Sequence, residues 1–271
     1  MNPTTRLAAV LGWPIAHSRS PQIMNAAFSA LGIDAVLVPI GVPPEGLAAA
    51  VAGLRSHQAL GASVTIPHKL AVVALCDEVS EAATTIGAVN CLHIDGARLI
   101  GHNTDEGGFI DGLRAAGFAP RQPRAVVLGA GGAARAVAYA LREGSVEVFA
   151  RRPDDVTWTT ARPWIEEQLR ASFARADLVI DCTSLGLGGP DEAPVTEALP
   201  LDALPPEAWV STLVYHRSTR LLERARELGH PTLDGRAMLV HQAARAFAIW
   251  TGQTAPISVM TRALADDLRG T

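Results

Sequence analysis

The segment Val127-Leu-Gly-Ala-Gly-Gly-Ala-Ala134 decides how this chain is read. Gly129, Gly131 and Ala134 fit the pattern G-x-G-x-x-A, and the flanking sequence is what that pattern requires. Ahead of it, Ala125–Leu128 is an unbroken apolar run, as expected of a strand buried on both faces. Behind it, Ala133–Leu141 is an Ala-rich helical stretch. In this setting Gly129 permits a tight turn, Gly131 lets a pyrophosphate approach the backbone, and the small Ala134 allows helix and strand to pack closely. The helix start also offers unpaired N–H groups and the positive end of its dipole. Gly129, Ala130, Gly131, Gly132 and Ala133 are therefore the expected cradle of a dinucleotide.

The following strand, Val146–Phe149, selects which dinucleotide. A site for NAD usually ends this strand with Asp or Glu, which holds the ribose 2′-hydroxyl. Here Arg151 and Arg152 follow Ala150. Paired guanidinium donors suit a 2′-phosphate, so NADP is the expected cofactor. The same two arginines stand beside Asp154 and Asp155, which also fits a solvated, ion-paired turn.

Working outward, Leu178–Asp181 and Trp209–Val214 read as further strands, Gly186–Pro194 and Leu199–Pro206 as loops, and 218–228 as a helix. Ala237–Trp250 is a strong helix with Leu239, Ala243, Ala246, Phe247 and Trp250 on one apolar stripe. Upstream lies a second alternation. Strand-like Leu7–Leu11, Ala35–Ile40, Ala62–Ile66 and Ala88–Ile94 are interleaved with helical stretches from Ser20 to Leu31, from Pro43, and from Pro67 to about Leu75. A helix from Asp105 to Gly117 joins the two halves. The expected fold class is α/β with two domains. Residues 1–103, with 238–271 packing back on them, form an α/β domain with a mainly parallel sheet, and 104–237 form a Rossmann-type domain.

Composition narrows the function classes. The chain has 271 residues, 48% hydrophobic and 18% charged, with a formal net charge of -4, so no basic footprint for nucleic acid or membrane is present. No apolar run is long enough for a membrane span. Cys76, Cys91 and Cys182 show no metal-type spacing and read as reduced thiols, so a cytoplasmic location and no bound metal are expected. The partner is then a small molecule; monomer and homodimer stay open.

One oddity is more informative. Lys69 is the single lysine, and every other side-chain cation of the Lys/Arg class is arginine. A coding bias explains the arginines and makes the exception stand out. Arginine stays protonated in proteins, whereas a lysine can be tuned to exchange its proton. Asp105 is its candidate partner, for acid/base work or as a structural ion pair. Around them the first domain carries Ser18, Ser20, Ser63, Thr65 and Asn90 near strand ends, where ligands of open α/β sheets bind. Ser20 before Pro21 also reads as a helix N-cap, and two serines with free helix N–H groups suit a carboxylate. His17, His68 and His102 are alternative acids.

Taken together, G-W-P-I-A-H-S-R-S-P, S-V-T-I-P-H-K, G-A-V-N, G-H-N-T-D-E-G-G-F, V-L-G-A-G-G-A-A-R-A-V, Leu213-Val-Tyr215 and the segment from Asp234 to Phe247 resemble the shikimate dehydrogenase family, in the family's order and over nearly the whole chain. The resemblance implies NADPH-dependent reduction of 3-dehydroshikimate to shikimate, in aromatic amino-acid and chorismate biosynthesis, at a cleft between two domains. It implies catalysis by Lys69 and Asp105, and substrate contacts from Ser18, Ser20, Ser63, Thr65, Asn90, Tyr215 and Gln242. It also implies cofactor contacts from Arg151, Thr183, Leu213 and Gly235 beside the glycine-rich turn. The chain departs from the family at Ser63, usually Asn, at Met24, often His, and at Thr212, often Asp. Ser63 leaves open a paralogue acting on quinate, aminoshikimate or a related cyclic hydroxy acid. A non-catalytic NADP-binding sensor on the same scaffold is the reading from another class.

Overall fold

The computed structural model describes residues 2–118, 120–187 and 189–269. The chain divides into two compact units, 1–108 with 239–271, and 109–238. The division falls a few residues inside two helices, whereas the sequence reading cuts the chain near their first residues.

In the first unit the chain runs β1 (Arg6–Gly12), α1 (Ser20–Ala30), β2 (Ala35–Gly41), α2 (Leu47–Ser56), β3 (Gly61–Val64), β4 (Glu78–Val79), α3 (Glu81–Ile86), β5 (Cys91–Asp95), β6 (Arg98–His102) and α4 (Asp105–Ala115), the last crossing into the second unit. The sheet order is β2-β1-β3-β5-β6-β4. β1 pairs in parallel with β2 and β3, so side chains on both its faces are buried. Ala8 and Val10 enter one core, Ala9 and Leu11 the other, which is why the strand reads as continuously apolar. β5 runs antiparallel to β3 and to β6. This hairpin turns at Gly96, whose φ of +61° suits glycine. Its return strand has no pattern of its own in the sequence, and pairing with β5 makes Arg98–His102 a strand. Two further differences arise at β3. It ends at Val64 rather than Ile66, and only a 3₁₀ turn at Ala71–Leu75 forms where a helix from Pro67 was expected.

The second unit holds β7 (Arg124–Leu128), α5 (Gly132–Ala140), β8 (Ser145–Ala150), β9 (Ala161–Pro163), α6 (Glu166–Phe173), β10 (Leu178–Asp181), α7 (Glu192–Glu197), β11 (Trp209–Thr212), α8 (Arg220–Glu227) and β12 (Thr232–Leu233). All pairs are parallel, in the order β12-β11-β10-β7-β8-β9. That is the strand order of a doubly wound dinucleotide-binding sheet, and its switch point lies between β7 and β10. The expected loop at Gly186–Pro194 contains the start of α7. This short helix is held by Glu192, whose buried carboxylate pairs with Arg217 and accepts the Arg220 backbone N–H at 3.0 Å.

Two last helices, α9 (Arg236–Thr251) and α10 (Ile257–Arg269), carry the chain back, and from Leu239 onward they belong to the first unit. Ala243, Ala246, Phe247 and Trp250 of the expected stripe are buried, and Leu239 packs against the same core while partly exposed. Phe247 lies 5.4 Å from Phe28 of α1, ring centre to ring centre. Among the described residues no helix is long and apolar enough to cross a membrane.

Candidate active site

The first unit gathers four of the expected residues into one hydrogen-bonded cluster. Lys69 Nζ donates to Asp105 Oδ2 at 2.6 Å, with side-chain exposures of 17% and 5%. The lysine thus keeps a path to solvent or ligand while the carboxylate is almost wholly enclosed. Asp105 opens α4, where a negative charge faces the positive end of the helix dipole. Its other oxygen, Oδ1, accepts from Asn90 Nδ2 at 2.8 Å. Asn90 Nδ2 also points at Thr104 Oγ1 at 3.0 Å and Gln242 Oε1 at 3.4 Å, so two hydrogens serve three acceptors and the Gln242 contact is the weakest. Asn90 Oδ1 accepts the Thr104 backbone N–H at 2.6 Å.

The frame around this cluster includes residues the sequence reading passed over. Asn103 Oδ1 accepts the Asp105 N–H at 3.1 Å while its amide donates to the Ala88 carbonyl at 2.9 Å. The Lys69 carbonyl accepts the Val89 N–H at 2.8 Å, which ties the lysine to the strand end that carries Asn90. Gly108 lets α4 and α9 meet, since a Cβ there would stand 2.5 Å from the Gln242 backbone nitrogen. The two glycines of D-E-G-G-F were visible in the sequence, but nothing local showed which helix they face.

Of the other expected residues in this unit, Ser18 and Ser20 lie at the start of α1. Ser20 is the first helical residue rather than its cap, and no side chain caps the helix. The Ser20 N–H points at Ser18 Oγ at 3.4 Å, a long contact that leaves the helix start available to an anion. Ser63 sits in β3, aligned with Val10 and Cys91. Thr65 follows it, with its N–H on the Leu11 carbonyl at 2.9 Å and its methyl group against Gly12. Among the alternative acids, His68 is buried with Nε2 2.7 Å from the Val42 carbonyl, a core contact. Burial lowers the pKa of His102, whose Nε2 is enclosed with no hydrogen-bond partner among the described residues.

In the second unit the glycine-rich turn has the geometry its sequence requires. Gly129 has φ +103°, and a Cβ on it would meet the Cys182 backbone and the Thr183 methyl at 3.2 Å. Gly131 precedes α5 in an extended conformation, again with no side-chain cap. Ala134 is fully buried. Thr183 is held from below: its N–H and hydroxyl both donate to Asp181 Oδ1, at 2.8 and 2.6 Å, and burial raises the pKa of that aspartate. Gly235 crosses directly over Leu213, where any Cβ would collide with the Leu213 carbonyl. Arg151 and Arg152 follow β8; Arg152 is 85% exposed and lies 3.4 Å from Asp155, so the ion-paired turn forms for that one residue. Tyr215 belongs to this unit, beyond the carboxyl end of β11, with its ring 5.8 Å from that of His216.

Residues 10–92 match the family model described as the shikimate dehydrogenase substrate binding domain, and 235–265 match the shikimate 5'-dehydrogenase C-terminal domain. The chain is 43% identical to a shikimate dehydrogenase (NADP(+)) of Symbiobacterium thermophilum, over 98% of this chain and 95% of that one. The chain belongs to the shikimate dehydrogenase family. Among solved members, shikimate 5-dehydrogenase from Thermus thermophilus, in complex with NADP(H) and shikimate, is 37% identical with a TM-score of 0.86, covering 96% of this chain and 99% of that one. The family's reach beyond one substrate is also evident. Quinate dehydrogenase from Corynebacterium glutamicum, in complex with NAD, is 31% identical with a TM-score of 0.83, covering 97% and 99%. Like those family members, the chain has the two-domain Rossmann-type architecture that the glycine-rich turn predicts.

Proposed function

We propose that this chain is an NADP-dependent dehydrogenase that reversibly reduces 3-dehydroshikimate to shikimate, with Lys69 and Asp105 as its acid/base pair. The observation that carries the reading is the 2.6 Å contact between the only lysine in the sequence and an enclosed carboxylate. Such a reaction is part of aromatic amino-acid biosynthesis, and the free cysteines suit the reducing cytoplasm, where the chain would act as monomer or homodimer.

The residues present fit the cofactor. The uncapped start of α5 and the unobstructed Gly131 suit a pyrophosphate, and Arg151 with Arg152 suits a 2′-phosphate. Thr183, Leu213 and Gly235 would line the remainder of that site. When bound, NADPH supplies the hydride to the carbonyl carbon. The carbonyl oxygen then needs a proton, and Lys69 is the donor; in the oxidative direction its neutral amine takes the proton from the hydroxyl. Asp105 holds the Lys69 amino group in place through the 2.6 Å contact. Ser18 and Ser20, at the open start of α1, would hold the shikimate carboxylate. Ser63, Thr65, Asn90, Gln242 and Tyr215 would contact the ring hydroxyls.

The enzyme reading is tested by following NADPH consumption with 3-dehydroshikimate, and NADP+ reduction with shikimate, quinate and aminoshikimate. Turnover is expected with 3-dehydroshikimate; binding of NADPH without turnover on any substrate would leave the sensor reading instead. The second reading, a quinate-type substrate, is favoured by Ser63, whose side chain is shorter than the family's usual Asn.

Two changes probe the supporting residues. Asn90→Ala removes the amide that holds both Asp105 and Thr104, so kcat is expected to fall by up to about 100-fold through misplacement of the carboxylate. The same variant should lose about 1–3 kcal/mol in urea denaturation, because buried partners are left unsatisfied. Joint replacement Arg151→Gln and Arg152→Gln should raise KM for NADPH about 10-fold or more while leaving KM for NADH nearly constant. Equal effects on the two cofactors would remove the 2′-phosphate role.

A further inference from the structure

We propose that Arg135 is an additional phosphate-binding residue of the dinucleotide site and that Trp158 positions it. The proposal rests on the reading of Gly129–Ala133 as that site. Arg135 lies in the first turn of α5, with its N–H on the Gly131 carbonyl at 3.1 Å. Helical side chains lean toward the helix N-terminus, so this one leans back over the glycine-rich turn. Trp158 lies in the segment that follows Arg151 and Arg152 and donates its indole N–H to the Ala130 carbonyl at 3.1 Å. The Arg135 guanidinium stands over that indole, 5.7 Å from the ring centre, within cation–π range. One aromatic ring therefore joins the second residue of the turn, the segment after β8 and a guanidinium.

Arg135 is also short of counter-charge. Its Nε is enclosed without a hydrogen-bond partner, and no carboxylate among the described residues pairs with it. Three arginines of the same unit differ: Arg152 pairs with Asp155, and Arg162 and Arg175 both pair with Glu147. A half-buried guanidinium without an anion carries a desolvation cost, which lowers its pKa, and a bound anion relieves that cost. The planar fork of donors matches phosphate oxygens. On NADPH that phosphate is either part of the pyrophosphate or the 2′-phosphate.

The test is titration calorimetry of the full chain with NADPH and with NADH. Arg135→Gln should raise the Kd for NADPH about 10-fold, and Arg135→Lys, which keeps the charge without the fork, by less. Trp158→Leu should raise it about threefold, while Trp158→Phe, which keeps an aromatic face, stays closer to wild type. The melting temperature of cofactor-free Arg135→Lys should equal that of wild type, which a merely structural role for Arg135 would not produce. A rise confined to NADPH places the guanidinium on the 2′-phosphate, and an equal rise with NADH places it on the pyrophosphate; either outcome upholds the proposal. Unchanged Kd values in Arg135→Gln, beside normal wild-type binding, would overturn the role of Arg135 alone. Failure of wild type to bind either cofactor would overturn the site reading with it.

Discussion

Lys69→Ala is expected to lower kcat for shikimate oxidation about 1,000-fold, within the range that one positioned general acid or base supplies. Shikimate affinity should change by no more than about threefold, since the lost interaction is made chiefly in the transition state. The alanine variant leaves the enclosed Asp105 without its cation, so some loss of stability accompanies the loss of rate. Lys69→Arg separates the two effects. It keeps a positive charge beside Asp105, and with it most of the ion pair, but a guanidinium does not release its proton near neutral pH. If the pair were only structural, the arginine variant would be active. An acid/base lysine requires that it be almost as slow as the alanine variant at normal stability. Steady-state rates at saturating cofactor, read beside thermal melts, decide between these.

The second large effect concerns two neighbouring glycines with opposite expected outcomes. A Cβ at Gly108 would lie 2.5 Å from the Gln242 nitrogen and 2.7 Å from its Cα, so it meets the backbone of α9. Backbone cannot swing aside, and the two helices must separate. Gly108→Ala is therefore expected to cost about 2–3 kcal/mol by overpacking, despite the better helix propensity of alanine. It should also weaken shikimate binding, because Gln242 is displaced from the cluster at Asn90. At Gly107 the nearest atoms belong to the Arg245 guanidinium, the far end of a flexible side chain. Gly107→Ala should stay within about 1 kcal/mol of wild type, since propensity gain and side-chain adjustment nearly cancel. Chemical denaturation of the two variants in parallel gives the contrast. Equal stabilities would contradict the close helix approach that positions Gln242.

This contrast also marks where sequence reasoning runs out. The turn at Gly129 was legible because its requirements are local: a strand, a positive φ, a helix start, and small residues between them. Strand β1 was legible for a similar reason, since burial on both faces leaves a continuous apolar run. Lys69 stood out by residue type alone, as the one exchangeable cation in an arginine-rich chain. The hairpin return at Arg98–His102 was hidden because its pairing partner, not its own pattern, makes it a strand. The demands at Gly107 and Gly108 come from α9, more than a hundred residues away along the chain. Asn103 and Thr104 look like ordinary polar loop residues, and only the folded arrangement shows them framing Asn90 and Asp105. Ser20 before Pro21 has the sequence of a cap, yet it begins the helix and leaves that end uncapped.

Substrate and cofactor preference are read together in one comparison. Initial rates are measured with shikimate and quinate, each with NADP+ and NAD+, and four values of kcat/KM are obtained. Shikimate with NADP+ is expected to exceed each other combination by at least about 10-fold, the discrimination expected from one well-placed hydroxyl contact or one bound phosphate. A higher kcat/KM for quinate, or for NAD+ as the preferred partner of shikimate, would contradict the proposed function.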